Sequence, residues 1–200
     1  MKTFKLSIVL LLFSMTGFAQ SNDFSKHQIA VHYGTFGGNE LYQLQDIVGA
    51  GSYDSDRFFT IGLSYTYRIN HWLGLSSGIE YGNHNVIFKP PFTGGEPPQP
   101  KQQSFSVVNI PLTAQVDFWK YVFVNGGALI SIDAQKNEEI GSLSGLGFVL
   151  GAGLKYDFSF GATVFVNPYL KMQNLLSFED KDFSYSLAES GVKIGMAYNF

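Results

Sequence analysis

The chain has 200 residues, of which 16% are aromatic and only 14% charged, with a formal net charge of −3 and no cysteine. That length accommodates one domain. Low charge beside many aromatics excludes a disordered chain, the missing cysteine excludes a disulfide framework and thiol chemistry, and the acidic balance disfavours nucleic acid as a partner.

Residues 1–19 read as a targeting segment. Lys2 and Lys5 form a positive start, LSIVLLLF is a short apolar core, and Gly17 and Ala19 are the small residues that a signal peptidase reads. The expected domains are therefore a signal peptide, 1–19, and a barrel, 20–200. After cleavage 11 Lys and Arg face 16 Asp and Glu, a formal charge of −5. Beyond this segment no apolar run approaches the roughly 18 residues of a membrane helix. Mean hydropathy is near zero (+0.04). A soluble protein has that average, and so does a membrane barrel, whose lipid-facing and lumen-facing residues cancel.

The mature chain alternates apolar and polar residues in eight stretches, the pattern of strands with one oily and one wet face. The first, 27–36, sets Ile29, Val31 and Tyr33 against Ala30, His32 and Gly34. Residues 37–56 are acidic and contain glycine, and read as a loop with a helical turn near 41–47. In the second strand, 57–69, Phe59, Ile61, Leu63, Tyr65 and Tyr67 share a face. Asn70-His71 makes a tight turn. The third strand, 72–88, has Leu73, Leu75, Ile79 and Tyr81 opposite Gly74, Ser76, Gly78, Glu80 and Gly82. Residues 89–103, rich in Pro and Gly, cannot sit in a ladder. The fourth strand, 104–118, contains Pro111, where a bulge or kink is expected.

After a short turn at Trp119-Lys120, the fifth strand, 121–133, carries apolar residues on both faces, so its facing is ambiguous. Residues 134–142 are a third loop. The sixth strand, 143–158, sets Leu146, Phe148, Leu150, Leu154, Tyr156 and Phe158 against Gly145, Gly147, Gly151, Gly153, Lys155 and Asp157. A tight turn at 159–161 leads to the seventh strand, 162–175. Residues 176–183 are a fourth, acidic loop. The eighth strand, within 186–200, ends on Tyr198 and Phe200, one face running Val192, Ile194, Met196, Tyr198, Phe200.

Connections thus alternate long and short, the rhythm of bacterial outer-membrane barrels, with short turns on the periplasmic side. In hydrocarbon every backbone N–H and C=O must be paired, so such a sheet must close on itself. The expected fold is all-β: an eight-stranded antiparallel up-and-down transmembrane β-barrel in the outer membrane. The inverted alternative is a soluble lipocalin-like barrel, with an apolar lumen and a wet exterior.

The segment ending FAQ, the strand SFSVVNIPLTAQVDF followed by YVFVNGGALISID, and the terminal Phe resemble the small outer-membrane β-barrel proteins of Bacteroidota, the porin-family or PorT-like barrels. The last strand is also similar to the terminal strand of outer-membrane barrels generally, which commonly end in Phe. This resemblance implies the architecture, recognition of the last strand by the barrel-assembly machinery, and, through PorT, a link to secretion.

With the Phe200 face outward, the inward charges are Arg68, Lys155, Lys171 and Lys193 against Glu80, Asp117, Asp157 and Glu189. A narrow, poorly hydrated lumen requires such charges to be paired, which reads as a cross-lumen plug; the alternative is a narrow ion path. Inward glycines make room for large neighbours such as Phe165 and Tyr169. Tyr65, Tyr67, Trp72, Tyr81, Trp119, Tyr156, Phe158, Tyr198 and Phe200 read as interface anchors.

The sequence carries no catalytic signature. His84 shares a strand with Ser76, Ser77 and Glu80, but no spacing pairs a nucleophile with a base. The four histidines lie on separate segments without metal-ligand spacing. The glycine run 145–153 lies inside a strand with no helix after it, which argues against a phosphate loop. No enzyme activity, cofactor or metal is expected. Expected partners are outer-membrane lipid and lipopolysaccharide, the latter through divalent cations on the acidic loops, and a protein at the outer loops.

Overall fold

A computed structural model describes residues 25–43, 52–89, 99–134, 143–178 and 185–200. The expected signal peptide and the central parts of the long loops lie outside these described residues. The described residues form eight strands: β1 (His27–Gln43), β2 (Ser52–Arg68), β3 (Leu73–Lys89), β4 (Lys101–Phe118), β5 (Val122–Asp133), β6 (Gly145–Asp157), β7 (Ala162–Ser177) and β8 (Tyr185–Asn199). Each pairs antiparallel with its neighbours, and β1 pairs with β8, so the sheet is a closed eight-stranded barrel. Closure runs from Gln28↔Asn199 to Gln43↔Tyr185. The ends are tied by His27 N–H to Phe200 O and Phe200 N–H to His27 O, at 3.2 and 2.9 Å.

The short turns follow from local chemistry. Asn70 accepts backbone N–H bonds from Trp72 and Leu73 through Oδ1, at 3.0 and 2.8 Å, an Asx turn that reverses the chain. Gly161 takes φ +91°, a conformation cheap only for glycine. Trp119 turns the chain at φ +54°.

Three sequence expectations change. First, strands run further toward the long loops. Leu41–Gln43, expected within a loop and near a helical turn, are strand paired to β8. Residues 52–56, also placed in that loop, belong to β2, and β4 starts three residues early. Second, Pro111 makes no bulge. The β3–β4 ladder lapses around it, between Ser77↔Leu112 and Glu80↔Asn109, and resumes in the same register. On its other side Pro111 stays in register with Leu129 of β5. A proline costs only the donor on one side of its strand, so the wall absorbs it without a change of register. Third, the facing of β5 is settled. Phe123, Leu129 and Ser131 are buried inside, whereas Val124 and Ile132 are exposed outside.

Register shifts occur elsewhere: in β1 between Thr35 and Gly38, in β2 between Ser55 and Phe58, and between β6 and β7 beside Leu146. Past the β1 shift the inward set changes from even to odd numbers, from Ala30 to Asn39 and Leu41. One extra residue in a bulge has that effect on a period-two pattern.

Candidate functional site

The outer wall is apolar from strand to strand. Val31, Ile61, Leu63, Ile79, Leu112, Leu150, Leu154, Leu170, Ile194 and Met196 are all exposed large hydrophobics. A continuous patch on this scale is not found on a soluble monomer. It is the pattern of an outer face in contact with hydrocarbon.

Aromatics border the band. Eight of the nine residues read as interface anchors sit toward the short-turn end. Tyr65, Tyr67, Trp72, Tyr156, Phe158 and Phe200 are exposed, Tyr198 is half-buried, and Trp119 is 89% exposed. His27 stacks between Tyr65 and Phe200, with ring centroids 6.0 and 5.7 Å apart. Tyr156 meets Phe158 edge-on at 4.9 Å. The ninth, Tyr81, belongs to a second border toward the long loops, together with Phe59 and Tyr33, with successive centroid distances of 6.4 and 6.3 Å. From Tyr67 to Phe59 is about 27 Å of strand at ~3.4 Å per residue. At a strand tilt of about 40° this spans roughly 20 Å, close to the usual apolar height of an outer-membrane barrel.

The lumen is filled in tiers. Nearest the short turns, Lys155 Nζ donates to Asp117 Oδ2 at 2.6 Å and lies 3.8 Å from Asp157. Arg68 reaches the same Asp117 oxygen at 4.0 Å. Gln115 donates to Asp117 Oδ1 at 2.9 Å, and Thr163 to Asp157 at 2.5 Å. Above this tier is a cavity of about 80 Å³, whose walls include Thr66, Ser76, Asn125 and Asn167.

The next tier is the central one. Lys171 donates to both Glu80 and Glu189, the second at 2.9 Å. Lys193 lies 2.6 Å from the other oxygen of Glu80, which His32 Nε2 also approaches at 3.1 Å. Tyr169 donates its hydroxyl to Glu189, and its ring lies under Lys193 Nζ at 4.6 Å. Gln173 donates to Glu189 at 3.3 Å, and His84 Nε2 lies 3.4 Å from it.

The eight charges read from the sequence therefore fall into two groups rather than one network. Arg68, Lys155, Asp117 and Asp157 make one, and Lys171, Lys193, Glu80 and Glu189 the other. Each group sets two cations against two carboxylates, so neither tier carries formal charge. Satisfying several lone pairs of each buried carboxylate is what makes burial of such groups tolerable.

The third tier has no counterpart in the sequence reading. Leu41, Val86, Phe105, Val107, Leu143 and Leu187 form a buried apolar cluster inside the barrel. Register places it on the loop side of the central tier: Leu187 is two residues beyond Glu189, and Val107 pairs with Gly82 two beyond Glu80. His84 joins the tiers, its ring stacked between Phe58 and Phe105 at 5.8 and 5.2 Å. It is wholly buried in the lumen. Ser76, on the same strand, bonds Thr66 at 3.1 Å within the cavity tier. Among the described residues no three His, Asp or Glu side chains gather in a way that suits a metal ion.

The inward glycines accommodate ring side chains. A Cβ on Gly195 would lie 2.3 Å from Phe165, one on Gly153 2.6 Å from Phe123, and one on Gly62 2.4 Å from His32. The glycine run 145–153 lies in β6 and leads to β7, not to a helix.

No known protein family and no curated protein matches the sequence. Solved structures do match in shape. The outer-membrane protein OprG from Pseudomonas aeruginosa superposes with a TM-score of 0.52 at 14% identity, over 90% of this chain and 99% of that one. The fold is that of a small outer-membrane eight-stranded barrel. The outer-membrane protein AlkL also matches, at a TM-score of 0.49 and 12% identity over 91% of this chain and 94% of that one. Ail of Yersinia pestis matches at 0.45 and 14%, over 89% and 100%.

Proposed function

We propose that the protein is an integral outer-membrane β-barrel with a structural or interaction role, without enzyme activity, its lumen closed and its long loops facing outside. The observation that carries this reading is the division of the wall. Lipid-compatible side chains cover its outside, and neutral ion-pair tiers with an apolar tier fill its inside. An eight-stranded ring has an interior just wide enough for side chains to fill, and here they meet across it. The burial of His84 among aromatic rings and away from Ser76 supports a packing role rather than a catalytic one.

The test has two parts. Outer membranes are fractionated and the extracted protein run with and without boiling; the reading predicts a membrane-bound band that shifts on boiling. The purified protein is then placed in planar bilayers, where it predicts no steady conductance. Release by osmotic shock would overturn the membrane placement, and regular ohmic steps would overturn the closed lumen. The second reading is a PorT-like secretion component, supported by the sequence resemblance to barrels of Bacteroidota. It predicts a secretion defect in a deletion strain.

A further inference from the structure

β1 and β2 pair only from His27↔Tyr67 to Gly34↔Thr60. Beyond that point β1 pairs with β8 and β2 with β3, each through its own register shift, but the described residues show no further β1–β2 pairing. A side-chain bond crosses there, from Thr35 Oγ1 to Phe58 O at 3.2 Å. At this place the wall holds a groove of about 470 Å³. That volume lies within the range of small-molecule sites.

The groove is amphipathic along its height. Tyr33 and Phe59, stacked on each other, and Phe36 supply an aromatic wall, and Arg57, Asn83 and Asn85 supply polar groups beside it. Phe36 adopts φ +58° and is 75% exposed. An aromatic residue at positive φ is an outlier, and such strain persists where the surroundings impose it. The following Gly37 allows it: a Cβ there would lie 1.7 Å from the Ser190 carbonyl oxygen. The bulge thus presents Phe36 on the outside of the barrel. Tyr33 and Phe59 belong to the upper aromatic border, so the groove straddles the level where acyl chains give way to headgroups.

We propose that this groove is a binding site for an anionic, phosphate-bearing lipid of the leaflet on the long-loop side. Its acyl chains lie against Tyr33, Phe36 and Phe59, and its phosphate meets Arg57, with Asn83 and Asn85 as neutral donors. The inference rests on the membrane placement proposed above. Arginine suits phosphate because its planar fork donates two parallel hydrogen bonds. With five donors it serves a phosphate alongside a contact within the protein.

The test is native mass spectrometry of the heat-shifted protein, released from micelles holding equal amounts of phosphatidylglycerol and phosphatidylcholine. The wild type is expected to retain phosphatidylglycerol several-fold over phosphatidylcholine. Arg57→Gln is expected to bring that ratio to about one, and Arg57→Lys to keep part of it. Phe36→Ser is expected to reduce both adducts, whereas Lys120→Gln, at the opposite end of the barrel, leaves them unchanged. An unchanged ratio in Arg57→Gln, or an equal loss in Lys120→Gln, overturns the site. A protein with no heat-shifted form overturns the membrane placement instead, before any lipid is weighed.

Discussion

Lys171 and Glu189 stand opposite each other on β7 and β8, with Nζ 2.9 Å from Oε1 and both side chains sealed from solvent. The same ammonium also binds Glu80, which lies on β3. One cation thereby ties the adjacent strands β7 and β8 to β3 across the ring.

Removing that cation exposes the cost of the arrangement. Lys171→Met is expected to leave two buried carboxylates short of charge and to destabilise the barrel by about 3–5 kcal/mol. Urea unfolding in lipid vesicles measures this. Lys120→Met, at an exposed turn, is the comparison and is expected to change stability by less than about 0.5 kcal/mol.

The apolar tier is a separate layer. Leu187→Ala is expected to cost about 2–5 kcal/mol, as for other large-to-small changes in a core, yet to leave bilayers non-conducting because the charged tiers remain below it. Unfolding and conductance on the same preparation check both halves.

Gly62 and His32 compete for one space. Gly62→Ala is expected to push His32 from Glu80 and to destabilise by about 1–3 kcal/mol. In the background of His32→Ala the same change is expected to cost less. A double-mutant cycle reads the coupling; strict additivity would show that the two positions do not meet.

The two tryptophans, Trp72 and Trp119, are both placed at the short-turn end. Their fluorescence is expected to be quenched by headgroup-level quenchers and hardly by quenchers at the bilayer centre. Efficient quenching from the centre would contradict the girdle.

The alternation was legible wherever one face meets hydrocarbon and the other a polar lumen. In β8 the rows Ile194–Met196–Tyr198 and Lys193–Gly195–Ala197 can be read directly. It failed where both conditions lapse. Beyond Thr35 the bulge flips the parity, turning Asn39 and Leu41 inward, so strand was read as loop. β5 was ambiguous because Phe123 and Leu129 fill the lumen while Val124 and Ile132 face out. The charges were identifiable one by one, but their division into two neutral tiers depends on strand register, and register is a property of pairs of strands. The place of His84 between the tiers could not be read, because its neighbours in the lumen, Phe58, Phe105 and Glu189, come from three other strands.

The most direct test of the account is a nitroxide scan along β2, one label at a time from position 60 to 65, in lipid vesicles. Since the chain has no cysteine of its own, each label sits at a single introduced site. Labels replacing Ile61, Leu63 and Tyr65 are predicted to collide freely with oxygen dissolved in the bilayer and rarely with a water-soluble nickel chelate. Labels at Thr60, Gly62 and Ser64 are predicted to be screened from both. Frequent collisions of the nickel chelate with the labels at positions 61, 63 and 65 would mean that this face lies in water, and would contradict a barrel whose apolar side faces lipid.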